Sequence, residues 1–310
     1  MGICYILFLF TQNIWVIILL GVILSILTVI RINCFGIIVR DTSPSKELAG
    51  NVGIIYTTIN LGWLVGPLVS AFLAERYGLP LLFLLAAFFF FLALLSFKLL
   101  HIQTKKRVRL HTDGNFLKNI RSFFNNKDFI KTYIVTGAPA VWWSFIFVYA
   151  PLYIIERGLE LQWVAYFLFA VMIPVLLLEY YFNILADTKG YRKMFVLGNI
   201  LLGCVLFVSF FIDDVYVLLS FLVLGSVGIA MVESSVESYF FLIAPKKDLE
   251  KNYSLYNTSL DVFPIIAKLL IAGSLAILQF SYSFLVLALL FFLFALVSHH
   301  LKEISGQAKS

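Results

Sequence analysis

Charged residues are scarce in this sequence. Asp, Glu, Lys and Arg make up only 13% of its 310 residues, whereas 62% are hydrophobic and the mean hydropathy is +0.98. Soluble domains are about one quarter charged, and a soluble core of this size could not bury so much apolar surface. Lipid must therefore surround much of the chain. Because the apolar runs do not alternate with polar residues, they exclude a β-barrel, and we predict an all-α polytopic membrane protein.

Residues that bind metals or form disulfides are also few. The three cysteines lie within apolar runs: Cys4, Cys34 and Cys204. They are interpreted as small core residues. The four histidines lie in or beside polar segments: His101, His111, His299 and His300. A histidine-ligated metal centre in mid-membrane is thereby excluded. No phosphate loop Gly-x-x-x-x-Gly-Lys-Ser/Thr is present, so we expect no cofactor, no enzymatic activity and no ATP-driven pumping by this chain alone.

Long apolar runs are what the sequence does contain. A hydrocarbon core of roughly 30 Å is crossed by about 20 helical residues. An initial run at 2–10 is too short to cross it and is interpreted as a partial span. Nine further runs are predicted as transmembrane helices: 14–39, 51–73, 80–98, 131–154, 163–186, 194–212, 215–243, 253–278 and 282–298.

Basic residues are distributed unevenly between the two sides of these spans. All but four of the 23 Lys and Arg residues fall on the side that includes the segment 99–130. Arg76 and Arg157 lie on the other side, and Arg31 and Lys268 lie within spans. Because positive loops stay inside, we predict a cytoplasmic central loop and C-terminus, in the cell (inner) membrane. The net charge of +6 reflects this sidedness and does not indicate nucleic-acid binding.

The segment 99–130 is predicted to be a basic cytoplasmic central loop between two helical halves. Its apolar residues recur at helical spacing: Phe116, Leu117, Ile120, Phe123 and Phe124. Basic residues lie between and after them: Lys118, Arg121 and Lys127. This pattern predicts an amphipathic helix on the inner membrane surface. The helix either tethers the two halves or takes part in gating.

A tight charged turn at 187–193 joins two apolar runs. The stretch 179–198 reads E-Y-Y-F-N-I-L-A-D-T-K-G-Y-R-K-M-F-V-L-G. It resembles the loop signature of the major facilitator superfamily of transporters, in which Gly-x-x-x-Asp precedes x-x-Gly-x-Arg-Lys. The matching residues are Asp187, Gly190, Arg192 and Lys193. Asn183 stands where the first glycine is usual, and Tyr191 stands where another basic residue is common.

The charged turn has two interpretations. Its basic residues can serve only to fix topology, or the turn can act as a gating latch. Asp187 could face a helix N-terminus, where the helix dipole favours an anion. The resemblance implies that the partner of this latch is the start of the 51–73 helix.

The two ends of the chain repeat each other. A shift of 201 residues places Pro44 on Pro245 and Asn51 on Asn252. The resemblance implies a bundle of two pseudo-repeated six-helix halves. The predicted domains are the remainder of the N-terminal half, the central loop, the C-terminal half and a cytoplasmic tail: 1–98, 99–130, 131–298 and 299–310. Under this alignment we expect an N-terminally truncated chain that starts within the third of twelve helices and lacks roughly 70 residues.

The 51–73 run contains Gly62-Trp63-Leu64-Val65-Gly66-Pro67. This stretch resembles the Gly-x-x-x-Gly-Pro signature of the same family. Glycines four residues apart allow helices to pack closely, and proline permits a bend. The signature is associated with antiporters, but Ser70 and Ala71 follow where glycines are common. We therefore predict a helix-packing motif at Gly62, Gly66 and Pro67 and do not take it as evidence for exchange.

Six ionisable residues lie inside predicted spans: Arg31, Glu179, Glu233, Glu237, Asp261 and Lys268. Isolated charges in lipid are costly, so such residues are candidates for a transport pathway. Glu233 and Glu237 are four residues apart and share a helix face. The resemblance implies that the spans carrying Arg31 and this glutamate pair line the central cavity.

These ionisable residues have both functional and structural interpretations. Glu233 or Glu237 could carry a proton, and Lys268 could serve as a counter-ion or a substrate clamp. Each could equally form a structural ion pair between helices. Glu179 and Asp261 lie toward the cytoplasmic ends of their spans and are expected to reach the membrane interface.

Aromatic residues are frequent in the 131–154 span, which the resemblance places on the cavity. Trp142 and Trp143 could receive an apolar or cationic solute. Tyr153 could instead anchor the span at the interface. The phenylalanines at 88–91 and 291–294 are interpreted as lipid-facing.

Taken with these residues, the resemblance implies a secondary active transporter of a small solute that works by alternating access, driven by a proton or solute gradient. Its partners would be the solute, the lipid bilayer and protons, with no nucleic acid. Uptake and efflux are both open. The alternative is a truncated, non-transporting membrane protein or a subunit that needs a partner chain. A membrane enzyme would need catalytic groups clustered at one face, where only the charged turn is evident.

Overall fold

The computed structural model describes residues 1–44, 46–100, 116–245 and 248–305. Within these ranges the chain is helical and contains no strand. The helices are α1 (Gly2–Phe8), α2 (Ile14–Thr42), α3 (Leu48–Tyr77), α4 (Leu79–Leu99), α5 (Phe116–Asn125), α6 (Lys127–Ser144), α7 (Ala150–Glu156), α8 (Leu161–Lys189), α9 (Tyr191–Ser209), α10 (Val215–Ile243), α11 (Leu249–Asn257), α12 (Ser259–Ile277) and α13 (Ser281–His299). A π-helical segment, Phe145–Tyr149, joins α6 to α7.

In the described part of the chain, nine helical segments are long and apolar enough to cross a membrane. They correspond one to one to the nine predicted runs. The prediction of an all-α polytopic membrane protein is therefore confirmed. Several helices extend beyond the apolar runs, because polar residues can continue a helix past the edge of the hydrocarbon core.

Two of the predicted spans are interrupted helices. In the 131–154 span, the Ala150 N–H bonds the Phe145 carbonyl five residues back, which is the π-helical pattern. Pro151 follows in the first turn of α7, where a missing N–H is tolerated. The 253–278 span changes from α11 to α12 at Thr258. Hydropathy does not reveal the first interruption, because Phe145–Tyr149 is apolar, whereas the second falls in the polar sequence Asn257-Thr258-Ser259.

One compact unit of the chain contains Met1–Thr42 and Gly62–Leu110. Within it, α1 lies along α4, and the rings of Phe8 and Phe83 stack with their centroids 5.3 Å apart. Most of the side chains of α2 and α4 are exposed. Since these side chains are overwhelmingly apolar, their exposure fits a lipid environment.

A second compact unit contains Ser43–Leu61 and His111–Ser310. Its core combines apolar side chains of α6, α7, α8, α9, α10, α12 and α13. Trp142 is fully buried in this core, with its ring centroid 6.3 Å from that of Phe291. Phe291 and Phe294 are 0% and 1% exposed, so the prediction that they face lipid is wrong. They fill space between helices instead.

Glycines bring two helices of the second unit close together. A Cβ on Gly198 in α9 would lie 2.7 Å from the carbonyl oxygen of Gly228 in α10, and the reciprocal distance is also 2.7 Å. No side chain fits so near a carbonyl oxygen. The crossing of α9 and α10 therefore depends on small residues in both helices.

The predicted amphipathic helix lies at α5 (Phe116–Asn125), while 101–115 fall outside the described residues. Phe123 is buried and stacks on Phe129 of α6 at 5.2 Å between centroids, whereas Leu117 is exposed. The helix thus has one packed face and one open face. Its tethering or gating role, and the predicted domain boundaries, stay predictions.

Candidate functional site

Polar side chains of α3 and α8 meet inside the second unit. Asn60 in α3 donates a hydrogen bond from Nδ2 to Oε2 of Glu179 in α8, at 2.5 Å. Asn60 is 4% exposed and Glu179 is 0% exposed. The expectation that Glu179 reaches the membrane interface is therefore wrong. Its carboxyl group is enclosed by protein and held by a neutral amide.

Glu233 of α10 lies beside Glu179, and we call these two residues the acid pair. Glu233 Oε1 accepts a hydrogen bond from Trp143 Nε1 at 2.9 Å. The Glu179 carboxyl group lies against Ser234 and is near enough to Glu233 to interact with its charge. Glu179 Oε1 and Glu233 Oε2 are buried and have no hydrogen-bond partner within the described ranges. Two predicted site residues, Trp143 and Glu233, thus lie in the same region as Glu179, which was expected at the membrane interface.

Glu237 lies one helical turn further along α10 than Glu233 and has its own hydrogen-bond partners. The Tyr253 hydroxyl in α11 donates to Glu237 Oε1 at 2.5 Å. Tyr56 in α3 hydrogen-bonds the same carboxyl group. Neutral O–H and N–H donors therefore hold Glu237 and both members of the acid pair. Groups held in this way can exchange a proton without the loss of an ion pair.

Asn183 connects α8 to both α3 and α10. Its Nδ2 donates to the Ala49 carbonyl oxygen at 2.9 Å and to Ser238 Oγ at 3.1 Å. Asn183 is 0% exposed. Nearby, a Cβ built on Gly53 would lie 3.2 Å from the Tyr180 Cα. The start of α3 is therefore packed closely against α8.

The junction between α8 and α9 is shorter than the predicted turn at 187–193. α8 continues to Lys189 and α9 begins at Tyr191, so Gly190 alone separates them, with φ of +105°. Asp187 is helical and buried, and its Oδ1 accepts a hydrogen bond from the Tyr191 hydroxyl at 3.1 Å. A glycine is required because other residues rarely adopt this backbone conformation.

The end of the chain folds over this junction. Glu303 Oε2 lies 3.0 Å from Arg192 Nε. The Tyr191 N–H donates to the Ile304 carbonyl oxygen at 3.4 Å. Of the predicted tail at 299–310, the structure describes residues to 305. The residues of the predicted latch are therefore fixed in part by this segment.

The remaining predicted site residues do not gather at the acid pair. Four of them are exposed: Arg31, Lys193, Asp261 and Lys268. Trp142 belongs to the hydrophobic core described above. A Cβ on Gly62 or Gly66 would meet no described atom within 4 Å, and the side chain of Pro67 lies outside the described part. The roles of these residues stay predictions.

Asn60 and Asn183 are site residues that the sequence alone does not reveal. The available signal is an amide within a long apolar run, since a buried amide needs hydrogen-bond partners. The partners are 119 residues away for Asn60 and 134 residues away for Asn183. Only the folded chain shows what these amides bind.

A polytopic helical protein that keeps ionisable groups in its interior has the architecture of a membrane transporter. The family model described as Major Facilitator Superfamily matches residues 1–178 and 167–305. The chain belongs to this superfamily.

Similarity to individual proteins is distant. The chain is 22% identical over 230 residues to an uncharacterized MFS-type transporter of Methanocaldococcus jannaschii. That match covers 73% of this chain and 59% of the archaeal protein, so the chain spans less than two thirds of that relative.

Two solved structures share the fold. One is the MFS proton:xylose symporter XylE bound to 6-bromo-6-deoxy-D-glucose, with a TM-score of 0.65, 16% identity, and coverage of 87% of this chain and 68% of that one. The other is a bacterial homologue of the iron transporter ferroportin in an outward-facing state, with a TM-score of 0.69, 18% identity, and coverage of 93% and 74%.

Proposed function

We propose that the protein is a secondary active transporter that moves a small solute by alternating access, driven by a proton or solute gradient. The observation that carries this proposal is the row of three acids in the second unit: Glu179, Glu233 and Glu237. Ionisable residues in the interior of membrane proteins commonly mark ion or substrate pathways. Neutral donors hold all three, which suits reversible proton binding.

The contacts between α3 and α8 support a gate. The sequence repeat assigns α3 to the N-terminal half and α8 to the C-terminal half, and alternating access requires such halves to separate on one side. The Asn60–Glu179 and Asn183–Ala49 hydrogen bonds would then break as this gate opens. The basic residues near the α8–α9 junction favour the cytoplasmic side for this gate.

The choice of solutes to test follows from proteins that share the fold and from the contact between Trp143 and Glu233. A symporter of protons and xylose and a homologue of an iron transporter share this fold. Sugars and divalent metal ions therefore come first. Aromatic cations come next, because Trp143 is partly exposed beside Glu233.

The proposal is tested by flux in proteoliposomes that carry an imposed pH gradient. A pH-sensitive dye inside the vesicles reports proton movement when each solute is added. We expect solute-dependent proton movement that Glu233→Gln or Glu237→Gln abolishes, whereas Glu156→Gln, at an exposed position, leaves it intact. Unchanged pH-driven flux in both variants would remove these acids as proton carriers. A folded protein that moves none of the solutes would favour the non-transporting alternative.

A further inference from the structure

A groove opens on the surface of the second unit, where α9 begins and α13 ends. It has a volume of about 380 Å³. We call it the basic groove and define it by the five residues that line it: Arg192, Lys193, Val196, Leu197 and His299. The first four belong to the first two turns of α9, and His299 is the last residue of α13. Two neighbouring helices therefore build this site together.

The polar end of the basic groove carries an excess of positive charge. Arg192 contacts Glu303 through its Nε at 3.0 Å, and its terminal nitrogens form no hydrogen bond within the described residues. Lys193 is exposed and forms no ion pair in the same part of the chain. His299 is exposed and has a ring N–H to donate in either protonation state. Three hydrogen-bond donors thus converge beside a single acid.

The start of α9 adds to this positive charge. A helix N-terminus carries a partial positive charge and is stabilised by acids. The first turn of α9 instead contains two basic residues and no acid, so these side chains do not stabilise their own helix. Membrane topology explains why basic residues follow a span. It does not explain why they converge with a histidine of another helix on one groove, an arrangement that favours an anion.

An apolar strip continues from the basic groove along α9. Its residues are exposed: Leu197, Ile200, Cys204 and Phe207. They follow one another at intervals of three and four residues, so they lie on one face of the helix. Lys193 comes four residues before Leu197, at the polar end of this strip. Positive charge is therefore followed by apolar surface along a single helix face, which is the complement of an anionic lipid.

We propose that the basic groove binds one anionic phospholipid of the inner leaflet, the leaflet that the predicted orientation of the spans places at this end. The lipid phosphate accepts hydrogen bonds from Arg192, Lys193 and His299, and an acyl chain lies along the apolar strip. Basic pockets at the cytoplasmic side of membrane proteins bind lipid headgroups in this way. A zwitterionic lipid fits less well, because its ammonium group meets the same basic side chains. The site contains none of the three acids of the proposed function and does not depend on it.

Native mass spectrometry of the full chain in detergent tests this proposal, because it resolves each bound lipid by its mass. The protein is titrated with dioleoylphosphatidylglycerol and, separately, with dioleoylphosphatidylcholine, which has the same acyl chains. We expect one tight binding event with the anionic lipid only. Lys193→Gln should weaken this event about fivefold, since one basic residue near an anionic lipid contributes roughly that factor. Lys193→Arg should preserve it.

Three further variants examine the two ends of the site. Leu197→Ser interrupts the apolar strip and should weaken lipid binding, although the three basic side chains remain. Lys127→Gln is the matched control: it removes an exposed positive charge at the start of α6, outside the groove, and should change the affinity by less than about twofold. His299→Gln, at the exposed end of α13, reports on the same site should Lys193→Gln misfold.

Three results would overturn the proposal. Equal affinity for the two lipids would show that the groove does not select an anionic headgroup. Equal losses from Lys193→Gln and Lys127→Gln would show that the overall charge of the protein attracts the lipid, and not this groove. Complete displacement of the anionic lipid by millimolar inorganic phosphate would show that free phosphate is the ligand and that the apolar strip contributes nothing.

Discussion

The side chain of Asn183 in α8 donates a hydrogen bond to the backbone carbonyl of Ala49 at the start of α3, with a length of 2.9 Å. In the loop signature of the superfamily this position is usually glycine, which has no side chain to make such a bond. The departure from the family pattern therefore has a structural role here. It adds a polar connection between helices that the sequence repeat assigns to different halves.

Replacement of Asn183 by alanine should destabilise the protein. The change removes a fully buried donor from the Ala49 carbonyl and Ser238 hydroxyl, and such losses cost about 1–3 kcal/mol. Thermal unfolding in detergent measures the effect. Thr188→Ala is the matched control, because its exposed hydroxyl bonds only its own helix and should matter by less than about 0.5 kcal/mol. Equal effects of the two changes would contradict the importance of the Asn183 contacts.

A methyl group on Gly53 should disturb the contact between α3 and α8. A Cβ there would lie 3.1 Å from Tyr180 Cδ2 and 3.2 Å from its Cα, and a backbone atom cannot move aside freely. Gly53→Ala should cost about 1–3 kcal/mol in unfolding free energy. Gly50→Ala, three residues earlier with no described atom within 4 Å, should be neutral or stabilising by roughly 0.5–1 kcal/mol. A stabilising Gly53→Ala would show that the helices are less closely packed.

The crossing of α9 and α10 should be equally intolerant of alanine. Gly198→Ala places a Cβ 2.7 Å from a carbonyl oxygen, so the helices must move apart. We expect a loss of at least about 1–3 kcal/mol, or failure to fold. Gly273→Ala in α12 has open space among the described atoms and provides the comparison. Thermal melting curves of the two variants that coincide would rule out this account of the crossing.

The ion pair between Arg192 and Glu303 should contribute little by itself. Both side chains remain about one third exposed, at 37% and 33%, so water screens their attraction. A double-mutant cycle with Arg192→Gln and Glu303→Gln should give a coupling energy of at most about 1 kcal/mol that falls as salt is added. A larger coupling that is insensitive to salt would mean that the segment over the α8–α9 junction excludes water more fully than the exposed fractions indicate.

The number and order of the spans could be predicted from the sequence because hydropathy depends on each residue and its immediate neighbours. Helix ends could not, because distant contacts set them. α8 extends to Lys189, and Asn183 in its last part bonds Ala49, which is 134 residues away. The location of Glu179 was mispredicted for the same reason, since its partner Asn60 is 119 residues away.

Where every residue of a helix is apolar, the sequence also could not predict which face of the helix packs against protein. Phe291 and Phe294 belong to a run that is apolar all round, so no polar stripe indicates which side meets protein. Burial of these rings is decided by the neighbouring helices that supply Trp142 and Phe263. The chemistry of Glu233 could be anticipated from its type and position, but its pairing with Glu179 could not.

The π-helical segment at Phe145–Tyr149 has a consequence for the length of its span. A π turn takes one residue more than an α turn, so this span contains an additional residue that leaves the faces of α6 and α7 in phase. Deletion of one residue within the segment would restore a continuous α-helix with both faces preserved. The same deletion elsewhere in α6 would rotate the following side chains by about 100°. The span can therefore change its length at this one place while Trp142 and Trp143 keep their directions.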